Sequence, residues 1–423
     1  METKRLLATE TTGSRPQAGV AVRPIVKLVG TVLTVALTLL VLEGLAYLYL
    51  RMHEGYDGAH LVSYQFDDYK IILPTPNYAN WKGIYHNAQG FRERENTPRR
   101  KDPGVFRIFV MGGSTAYGLG SLSSFGQERY SLITNEETID YYLENYLKQK
   151  FPGRRIEVIN AAITSHYSHH HLIYLNQTIL KYDPDMVIFI DGFNDYYPYT
   201  KGFDQFADYA YQERAHLFMG EPSVEAWLKY SGWWLFRKSH FVHLAAKTLR
   251  PVGIGISRIG AQRLRIDVED ALANLRENAG RNFVKMVERN GLVLKYENIV
   301  PVFALQPEIA FRQAKKFSPL EQDIFGEMSA HWQENFVQFK NEARPIVTKH
   351  LEEATAKTGS TFVDLTDIYG GVEGDVYTDY CHLTPLGNQK LAEALGDRVV
   401  PLIQQKMDQS RSLPADPVSP VHS

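Results

Sequence analysis

Residues 105–120, VFRIFVMGGSTAYGLG, determine how the rest of the chain is organised. The first six residues are apolar except for Arg107, which is typical of a β-strand covered on both faces. Gly112 and Gly113 interrupt this run, because glycine permits the backbone conformations of a sharp turn and leaves room beside the next side chain. The stretch therefore predicts that Ser114 lies at the carboxyl end of a buried strand.

This position gives Ser114 two interpretations. In open α/β sheets ligands bind outside the carboxyl ends of the strands, which makes Ser114 a candidate nucleophile. A glycine-rich turn with a helix-capping serine has the same pattern. Two other motifs are excluded, because no Gly-Lys-Ser/Thr follows and because Ala116 replaces the second glycine of a G-x-S-x-G elbow.

Strand and helix patterns alternate at short spacing after this turn. Apolar runs predict strands over residues 155–160, 186–190, 299–305 and 361–365. Helical spacing predicts helices over residues 136–150, 169–182, 268–289, 319–357 and 386–405. This alternation predicts an α/β fold, with a doubly wound parallel sheet and helices on both faces.

The composition is that of a globular protein of 423 residues, 44% of them hydrophobic and 12% aromatic. A formal net charge of -2, without a long basic run, argues against nucleic-acid binding. The single cysteine, Cys381, excludes an internal disulfide framework and a multi-cysteine zinc site. The cysteine content does not indicate whether the protein is in a reducing or an oxidising compartment.

The N-terminus predicts a membrane anchor over residues 23–51, after a disordered segment at residues 1–22. Residues 28–50 are apolar except for Glu43, and at about 1.5 Å per residue this run crosses a hydrocarbon core of roughly 30 Å. No A-x-A cleavage pattern follows, which favours an anchor over a secretory signal. Basic residues precede the span, and none lies between Arg51 and Lys70, so the N-terminus is predicted to be cytoplasmic and the domain extracytoplasmic, either periplasmic or at the cell surface. Glu43 either lies near the outer interface or faces a partner helix.

Three further segments flank or interrupt the predicted domain at residues 105–405. Residues 52–104 predict an irregular extracytoplasmic linker and edge segment, and residues 406–423 a disordered tail rich in Pro and Ser. Residues 203–266 predict a helical, aromatic insertion. The insertion is interpreted as a cap that packs on the domain, a platform for a glycan or acyl chain, or an element on the membrane surface.

A base for Ser114 is available near the C-terminus. A serine hydroxyl needs a base to remove its proton, and a third group that holds the base improves it. Asp379 precedes His382 by three residues on a loop before the last helix, so one turn brings the two side chains together. Alone, this spacing is also that of a surface aspartate and a packed histidine.

Four motifs in order make the pattern specific: GGS at Ser114, NAAITS ending at Ser165, GFND containing Asn194, and Asp379-x-x-His382. In this order the chain resembles the SGNH hydrolases, the GDSL-like esterase and lipase superfamily, over residues 105–405 without the insertion. The resemblance implies a flavodoxin-like three-layer α/β/α sandwich without a cofactor. It also implies that Ser114 is the nucleophile, His382 the general base and acid, and Asp379 the residue that orients His382. NAQGFR at residues 87–92 resembles a segment of membrane-anchored members and is expected to cover the sheet edge.

The same resemblance implies an oxyanion hole formed by the backbone N–H groups of Ser114 and Ser165 and by the Asn194 amide, with Gly113 and Gly192 in support. Preorganised donors at a developing oxyanion lower the barrier by about 3 to 4 kcal/mol each. The sequence departs from the family pattern where Gly-Gly-Ser replaces Gly-Asp-Ser and where Ser165 replaces a glycine. Asn194 is alternatively the residue of an Asx turn at the strand end.

Four histidines, His166, His169, His170 and His171, have helical spacing but no carboxylate or cysteine that completes a ligand set, so no metal site is predicted. We expect them to form a solvated helix start or to contact a polar substrate. Cys381 is expected to pack beside the base rather than to react.

Together these features predict a membrane-anchored extracytoplasmic serine esterase that hydrolyses or transfers O-acyl groups through a Ser114 acyl-enzyme. The expected substrates are acyl esters, with acetyl groups on envelope or exported polysaccharide as the leading class. A lipid or small-ester esterase and a non-catalytic scaffold in polysaccharide assembly are the alternatives. The acyl donor, the acceptor, the protein partners and the oligomeric state are left open.

Overall fold

The computed structural model describes residues 22–53, 63–67, 71–80, 83–120, 133–196, 231–232, 234–249, 267–279, 283–311, 313–331 and 335–412. Within these residues the central element is a parallel sheet of five strands in the order β4-β3-β5-β6-β7. These strands are β3 (Val105–Gly112), β4 (Arg155–Asn160), β5 (Met186–Asp191), β6 (Val300–Leu305) and β7 (Thr361–Asp364). Counted within this sheet, the order is 2-1-3-4-5, that of the flavodoxin-like folds, and the predicted α/β fold class is confirmed.

The strands form where the sequence is apolar on both faces. All eight residues of β3 are buried, as are the first five of the six in β5. Arg107 is the one charged residue in β3, and its buried guanidinium donates to Glu157 Oε2 at 2.9 Å and to the carbonyl of Tyr182 at 2.7 Å. These partners satisfy Nε and Nη1 of Arg107, which lowers the cost of a charge inside the sheet.

Two groups of helices flank the sheet. In chain order the helices are α1 (Val22–His53), α2 (Ser114–Tyr117), α3 (Ile139–Lys150), α4 (Ser168–Gln177), α5 (Phe193–Tyr196), α6 (His240–Leu249), α7 (Val268–Asn278), α8 (Phe283–Tyr296), α9 (Pro319–His331), α10 (Phe336–Thr358) and α11 (Pro385–Ser412). Helix α3 packs on α11, whereas α4, α8, α10 and α7 pack on one another. The chain passes from β3 to β4 in one direction across the sheet and from β4 to β5 in the other. Because such crossovers are right-handed, α3 and α4 lie on opposite faces.

Helix α1 is long and apolar enough to span a membrane over residues Val26–His53. Most of its large apolar side chains are exposed, including Leu33, Leu37 and Leu40. The predicted disordered segment at residues 1–22 lies outside the described residues except for Val22, the first residue of α1.

Residues 52–104 are more ordered than the sequence predicted. They contain an antiparallel hairpin of β1 (Tyr64–Asp67) and β2 (Ile71–Pro74). Beyond it, Phe91 and Arg92 are almost completely buried. Residues 75–80 and 83–104 contain only turns and isolated bridges, as an irregular segment predicts, but they are packed into the protein, where Asn87 and Arg92 form buried hydrogen bonds.

Two predicted boundaries also change. The helix predicted over residues 268–289 divides into α7 and α8, with Gly280 and Asn282, both weak helix formers, between them. The tail predicted from residue 406 is still helical to Ser412, because neither glycine nor proline occurs between residue 406 and Pro414. Of the predicted insertion, only residues 231–232 and 234–249 are described, and they are helical apart from Ser239.

Candidate active site

The turn after β3 places Ser114 between the ends of β3 and β5, where the strand order reverses. Gly112 has a φ of +154°, and a Cβ there would lie 2.4 Å from the carbonyl oxygen of Ile190. A Cβ on Gly113 would lie 2.7 Å from Nδ2 of Asn194. Two glycines are needed because the turn approaches the end of β5 this closely, and Ser114 then begins α2.

Ser114, His382 and Asp379 form a continuous hydrogen-bonded chain. The Ser114 Oγ lies 2.7 Å from Nε2 of His382, and Nδ1 of His382 lies 2.7 Å from Oδ2 of Asp379. With the Nδ1–H tautomer, the ring donates to the carboxylate, and Nε2 is left to accept the hydroxyl proton of Ser114. The residues that the sequence predicted as a set are thus in contact, although 268 positions separate Ser114 from His382.

Asp379 also shapes the loop that carries His382. Its Oδ1 accepts from the backbone N–H groups of Cys381, at 3.0 Å, and His382, at 2.9 Å. A bridge between Tyr377 and Leu383 closes the loop, and Thr384 follows as the residue before α11. One carboxylate therefore fixes both the backbone and the ring of His382, which accounts for the three-residue spacing.

Ser114 is more exposed than His382 and Asp379. Asp379 and His382 are almost completely buried, whereas Ser114 is only half-buried and can be reached from outside. Burial alone would raise the pKa of Asp379, but the neighbouring His382 and the hydrogen bonds from His382 and Cys381 outweigh it and lower that pKa. The carboxylate is therefore kept ionised, as an acceptor for the imidazole.

Asn194 lies beside the nucleophile at the start of α5. Its Nδ2 donates to the carbonyl oxygen of His166 at 2.9 Å, and the space over Gly113 is what admits the amide. Gly192 precedes it with a φ of +153°. The backbone N–H of Ser114 belongs to the first turn of α2, where helix N–H groups have no acceptor within the helix. The Asn194 amide and the backbone N–H of Ser114 thus both lie at the turn that carries Ser114.

Ser165 has a left-handed backbone with a φ of +63°. The carbonyl of Ile163 accepts from His166 N, so Ser165 is the third residue of a four-residue turn. Turns with a positive φ at this position favour glycine. The structure therefore explains why a glycine fits here, and it shows that Ser165 keeps the turn at the cost of some backbone strain.

The chain matches no protein-family model and no curated protein sequence. It is similar to solved structures that are described as esterases or lipases. The acetyl xylan esterase AlAXEase is 13% identical with a TM-score of 0.34, over 70% of this chain and 100% of that one. The acetylxylan esterase Axe2 of Geobacillus stearothermophilus is 15% identical with a TM-score of 0.32, over 70% and 94%. An extracellular lipase of Streptomyces rimosus is 13% identical with a TM-score of 0.36, over 69% and 99%. Activity does not follow from similarity at this level.

Arg92, to which the sequence analysis gave no role of its own, binds the backbone of the segment that follows Ser114. Its fully buried guanidinium donates to the carbonyls of Tyr117 at 2.6 Å and Gly118 at 2.7 Å, and also to the carbonyl of Ile133. It lies over the Tyr117 ring at 4.5 Å. The sequence signal was the NAQGFR motif, whose last residue carries this contact.

A second contact that the sequence did not predict joins the turn that carries Ser114 to the loop that carries His382. Thr115 Oγ1 donates to the carbonyl of Cys381 at 3.1 Å and accepts from Nε2 of Gln306 at 3.2 Å. Because Thr115 follows Ser114 and Cys381 precedes His382, the bond between Thr115 and Cys381 helps to hold Ser114 and His382 together. The threonine of the GGST motif therefore has a structural use at the site.

The four histidines do not form the solvated helix start that was expected. His166, His170 and His171 are buried, and His166 Nε2 donates to the carbonyl of Ile72 in β2 at 2.9 Å. His171 Nε2 lies 2.8 Å from Oδ1 of Asp191. The His166 ring is thus packed against β2, and the His170 ring stacks on it with centroids 4.6 Å apart.

Asp195, next to Asn194, belongs to the same buried cluster. Burial, and then the nearby charge of Asp191, raise the pKa of Asp195 to about 8. Its Oδ1 accepts from Ser168 N at 3.0 Å. The turn that carries Asn194 is thereby tied to the start of α4.

Among the described residues, Asp379, Cys381 and His382 bring three potential metal-ligand atoms within 4.8 Å of one another. Both ring nitrogens of His382 are already within 2.7 Å of other partners. Burial, and then the charge of Asp379, raise the pKa of the Cys381 thiol well above its ordinary value, so the thiolate that a metal binds is disfavoured. These contacts favour the hydrogen-bonded chain.

Proposed function

We propose that this protein is a serine ester hydrolase or acyltransferase of the SGNH type, acting through an acyl-enzyme on Ser114. The observation that carries the proposal is the chain from Ser114 Oγ through His382 to Asp379, with both distances at 2.7 Å. A serine with an oriented imidazole base is the arrangement that acyl transfer requires.

In the proposed mechanism His382 Nε2 removes the proton from Ser114 as its oxygen attacks the ester carbonyl. The carboxylate of Asp379 stabilises the imidazolium that forms. The amide of Asn194 and the backbone N–H of Ser114 donate to the oxyanion of the tetrahedral intermediate. His382 then protonates the leaving alkoxide, which departs and leaves the acyl-enzyme.

In the second half of the reaction His382 activates the incoming group. Water as the incoming nucleophile completes hydrolysis, and the hydroxyl of a second substrate completes transfer. The buried base and the half-buried nucleophile suit this sequence, because the base is shielded while the ester can approach Ser114. Ser165 is proposed as a third donor through its backbone N–H.

The proposed location is the outer side of a membrane, with α1 as the anchor. The excess of Lys and Arg before the span supports a cytoplasmic N-terminus. A domain held at the outer face meets exported and envelope polysaccharides, and we propose O-acetyl groups on such chains as the substrate class. Protease added outside intact cells should digest the domain and spare a tag at Met1, and protection of the domain would contradict this orientation.

The activity is tested by labelling the full-length protein with a serine-directed fluorophosphonate and identifying the modified peptide by mass spectrometry. Modification of Ser114 is expected, and it should disappear when His382 is replaced by Ala, because the hydroxyl then has no base. Turnover of p-nitrophenyl acetate should exceed turnover of esters with longer acyl chains if acetyl is the natural group. Labelling at another serine, or none, would contradict the proposal.

A further inference from the structure

The part of the insertion that the structure describes is docked on the membrane helix rather than on the catalytic site. Helix α6 begins at Glu43 of α1. The Glu43 carboxylate accepts from Ser239 Oγ at 2.7 Å and from the backbone N–H groups of His240 at 2.6 Å and Phe241 at 3.1 Å. His240 Nδ1 is also 2.7 Å from Glu43 Oε1.

This contact provides hydrogen-bond partners for two polar groups that are costly in lipid, the Glu43 carboxylate and the N–H groups at the start of α6. The apolar run of α1 ends at Leu50, and seven residues at about 1.5 Å each place Glu43 roughly 10 Å inside that end. A carboxylate at that depth needs partners, and so do the N–H groups at the start of a helix. Glu43 supplies the acceptors and α6 supplies the donors, so each makes the other tolerable in an apolar surrounding.

Helix α6 continues along α1 from this point. Ala46 and Leu50, which lie on the same face of α1 as Glu43, are buried, and Leu50 packs against Leu244 of α6. The Tyr47 ring meets the His240 ring edge-on at 5.1 Å. Ala46, Tyr47 and Leu50 belong to the apolar run of α1. If this run spans the membrane, α6 lies at the same depth in the membrane as these residues.

The chain bends at Ser239, between the helical residues 234–238 and α6. Phe236 and His243 are seven residues apart, which in a straight helix is about 10 Å along the axis, yet their rings stack at 4.5 Å. The preceding segment, residues 234–238, carries Trp234 and Leu235, which are 53% and 43% exposed. Large apolar side chains are thus exposed in the segment that precedes α6.

The charge of this part of the sequence has one sign. Residues 226–266 contain no Asp or Glu and eight basic residues, Lys229, Arg237, Lys238, Lys247, Arg250, Arg258, Arg263 and Arg265. Basic residues combined with Trp, Leu and Phe are typical of segments that lie in the interface of an anionic membrane. A cap on the catalytic domain has no need of such a charge excess.

We propose that residues 231–232 and 234–249 form a second membrane-inserted element, a pair of helical segments that enters the outer leaflet beside α1, is held there by Glu43, and presents Trp234 and Leu235 to lipid. This inference rests on the proposed membrane anchor and is independent of the proposed chemistry. Its consequence is that the catalytic domain is attached to the membrane at two places and not by a single flexible tether.

The test uses spin labels on the full-length protein in vesicles of phosphatidylcholine and phosphatidylglycerol. Labels are placed by Trp234→Cys, by Leu37→Cys on the exposed face of α1, and by Tyr296→Cys, where the native side chain is 88% exposed on the domain. The native Cys381 is buried, and the unsubstituted protein reports its background. The measurement compares collision of each label with oxygen, which dissolves in lipid, and with a water-soluble nickel chelate.

The label at position 234 is expected to lose nickel accessibility and gain oxygen accessibility, as at position 37, while position 296 shows the reverse. If the label at 37 is in lipid but the label at 234 is accessible to nickel like the one at 296, the inference is overturned. If position 37 is also exposed to nickel, the anchor itself fails and the inference fails with it. Fluorophosphonate labelling of the same samples reports separately on the catalytic proposal.

The role of Glu43 is tested in the same samples. Glu43→Ala removes all the acceptors, so the nickel accessibility of the label at 234 should rise, and Glu43→Gln, which keeps one oxygen, should have a smaller effect. Leu45→Ala, on the exposed face of α1, is the matched control and should leave the label unchanged. Equal accessibility in Glu43→Ala and Leu45→Ala would show that the carboxylate does not hold the element in place.

Discussion

Replacing Arg92 by Met should destabilise the protein and slow the reaction of Ser114, although Arg92 does not contact Ser114. The substitution keeps most of the side-chain volume and removes the guanidinium that serves the carbonyls of Tyr117, Gly118 and Ile133. An unsatisfied buried carbonyl costs about 1 to 3 kcal/mol, and because Asn160 Nδ2 still lies 3.5 Å from the carbonyl oxygen of Tyr117, the other two cost about 2 to 6 kcal/mol. Removing the desolvation penalty of the buried charge offsets part of this, and we expect a net loss of about 2 to 4 kcal/mol.

Arg94→Met is the matched control. Arg94 lies two residues away and pairs with Glu136 at 2.8 Å, but the two side chains are 54% and 42% exposed. Such a surface pair is worth at most about 1 kcal/mol. The two variants therefore differ in burial and not in the type of side chain removed.

The assay combines urea unfolding, followed by tryptophan fluorescence, with the second-order rate of fluorophosphonate labelling in native buffer. Arg92→Met should lower the unfolding midpoint and slow labelling at least about tenfold, the equivalent of about 1.4 kcal/mol in the barrier. Arg94→Met should change neither quantity appreciably. If Arg92→Met unfolds within about 1 kcal/mol of the unsubstituted protein and labels at its rate, the Arg92 contacts have no energetic role and the reasoning is refuted.

Three further predictions concern single residues of the site. Asp379→Asn should keep the fold, because Oδ1 still accepts the two backbone N–H groups, but it should lower turnover by about 10⁴-fold, since the amide cannot stabilise the imidazolium of His382; retention of full turnover would contradict the role given to Asp379. Ser165→Gly should raise the free energy of unfolding by about 0.5 to 1 kcal/mol in urea titrations, because the left-handed backbone costs a serine roughly 1 to 2 kcal/mol and glycine less, and it should preserve turnover; a loss of stability would show that the turn is unstrained. Asp195 has its pKa raised from 3.8 to about 8, so the folded protein holds a proton that the unfolded chain releases, and its contribution to stability is present below pH 4 and lost as the pH rises through 8. Asp195→Asn should therefore remove a decline of up to about 1.4 kcal/mol per pH unit between these limits, and an identical pH slope in both proteins would show that Asp195 is ionised throughout.

The fold was predictable where local pattern and tertiary position agree. The apolar run of β3, the glycines after it and the strand over residues 155–160 are each readable from a few neighbouring residues, and the structure has them at those positions. The division between α7 and α8 was missed, because the apolar spacing continues across Gly280 and outweighed the weak helix propensity there.

The hairpin of β1 and β2 was missed for a different reason. Each strand has only four residues, and the backbone carbonyl of Ile72 in β2 accepts from the distant His166. A contact of this kind, 94 positions apart, leaves no periodic signal in the sequence. The contacts of Arg92 with the carbonyls of Tyr117, Gly118 and Ile133 also join residues that are distant in the sequence.

The sequence predicted the residues of the candidate site, but not the contacts that hold them in place. The spacing of Asp379 and His382 is local, so one turn could be foreseen to join them. The bond from Thr115 to the carbonyl of Cys381 joins residues 266 positions apart and needed coordinates. Glu43 was recognised as an anomaly within the span, but its partners Ser239 and His240 lie almost 200 positions away.

The central claim is that Ser114 is the nucleophile of an ester-cleaving enzyme, and the most direct measurement is the turnover of p-nitrophenyl acetate by Ser114→Ala beside the unsubstituted full-length protein. Removing the nucleophile of such a triad lowers turnover on the order of a million-fold. We therefore predict that Ser114→Ala retains the fold, binds no fluorophosphonate and hydrolyses the ester only at the residual rate. An ester turnover that is the same with and without the Ser114 hydroxyl would contradict the account.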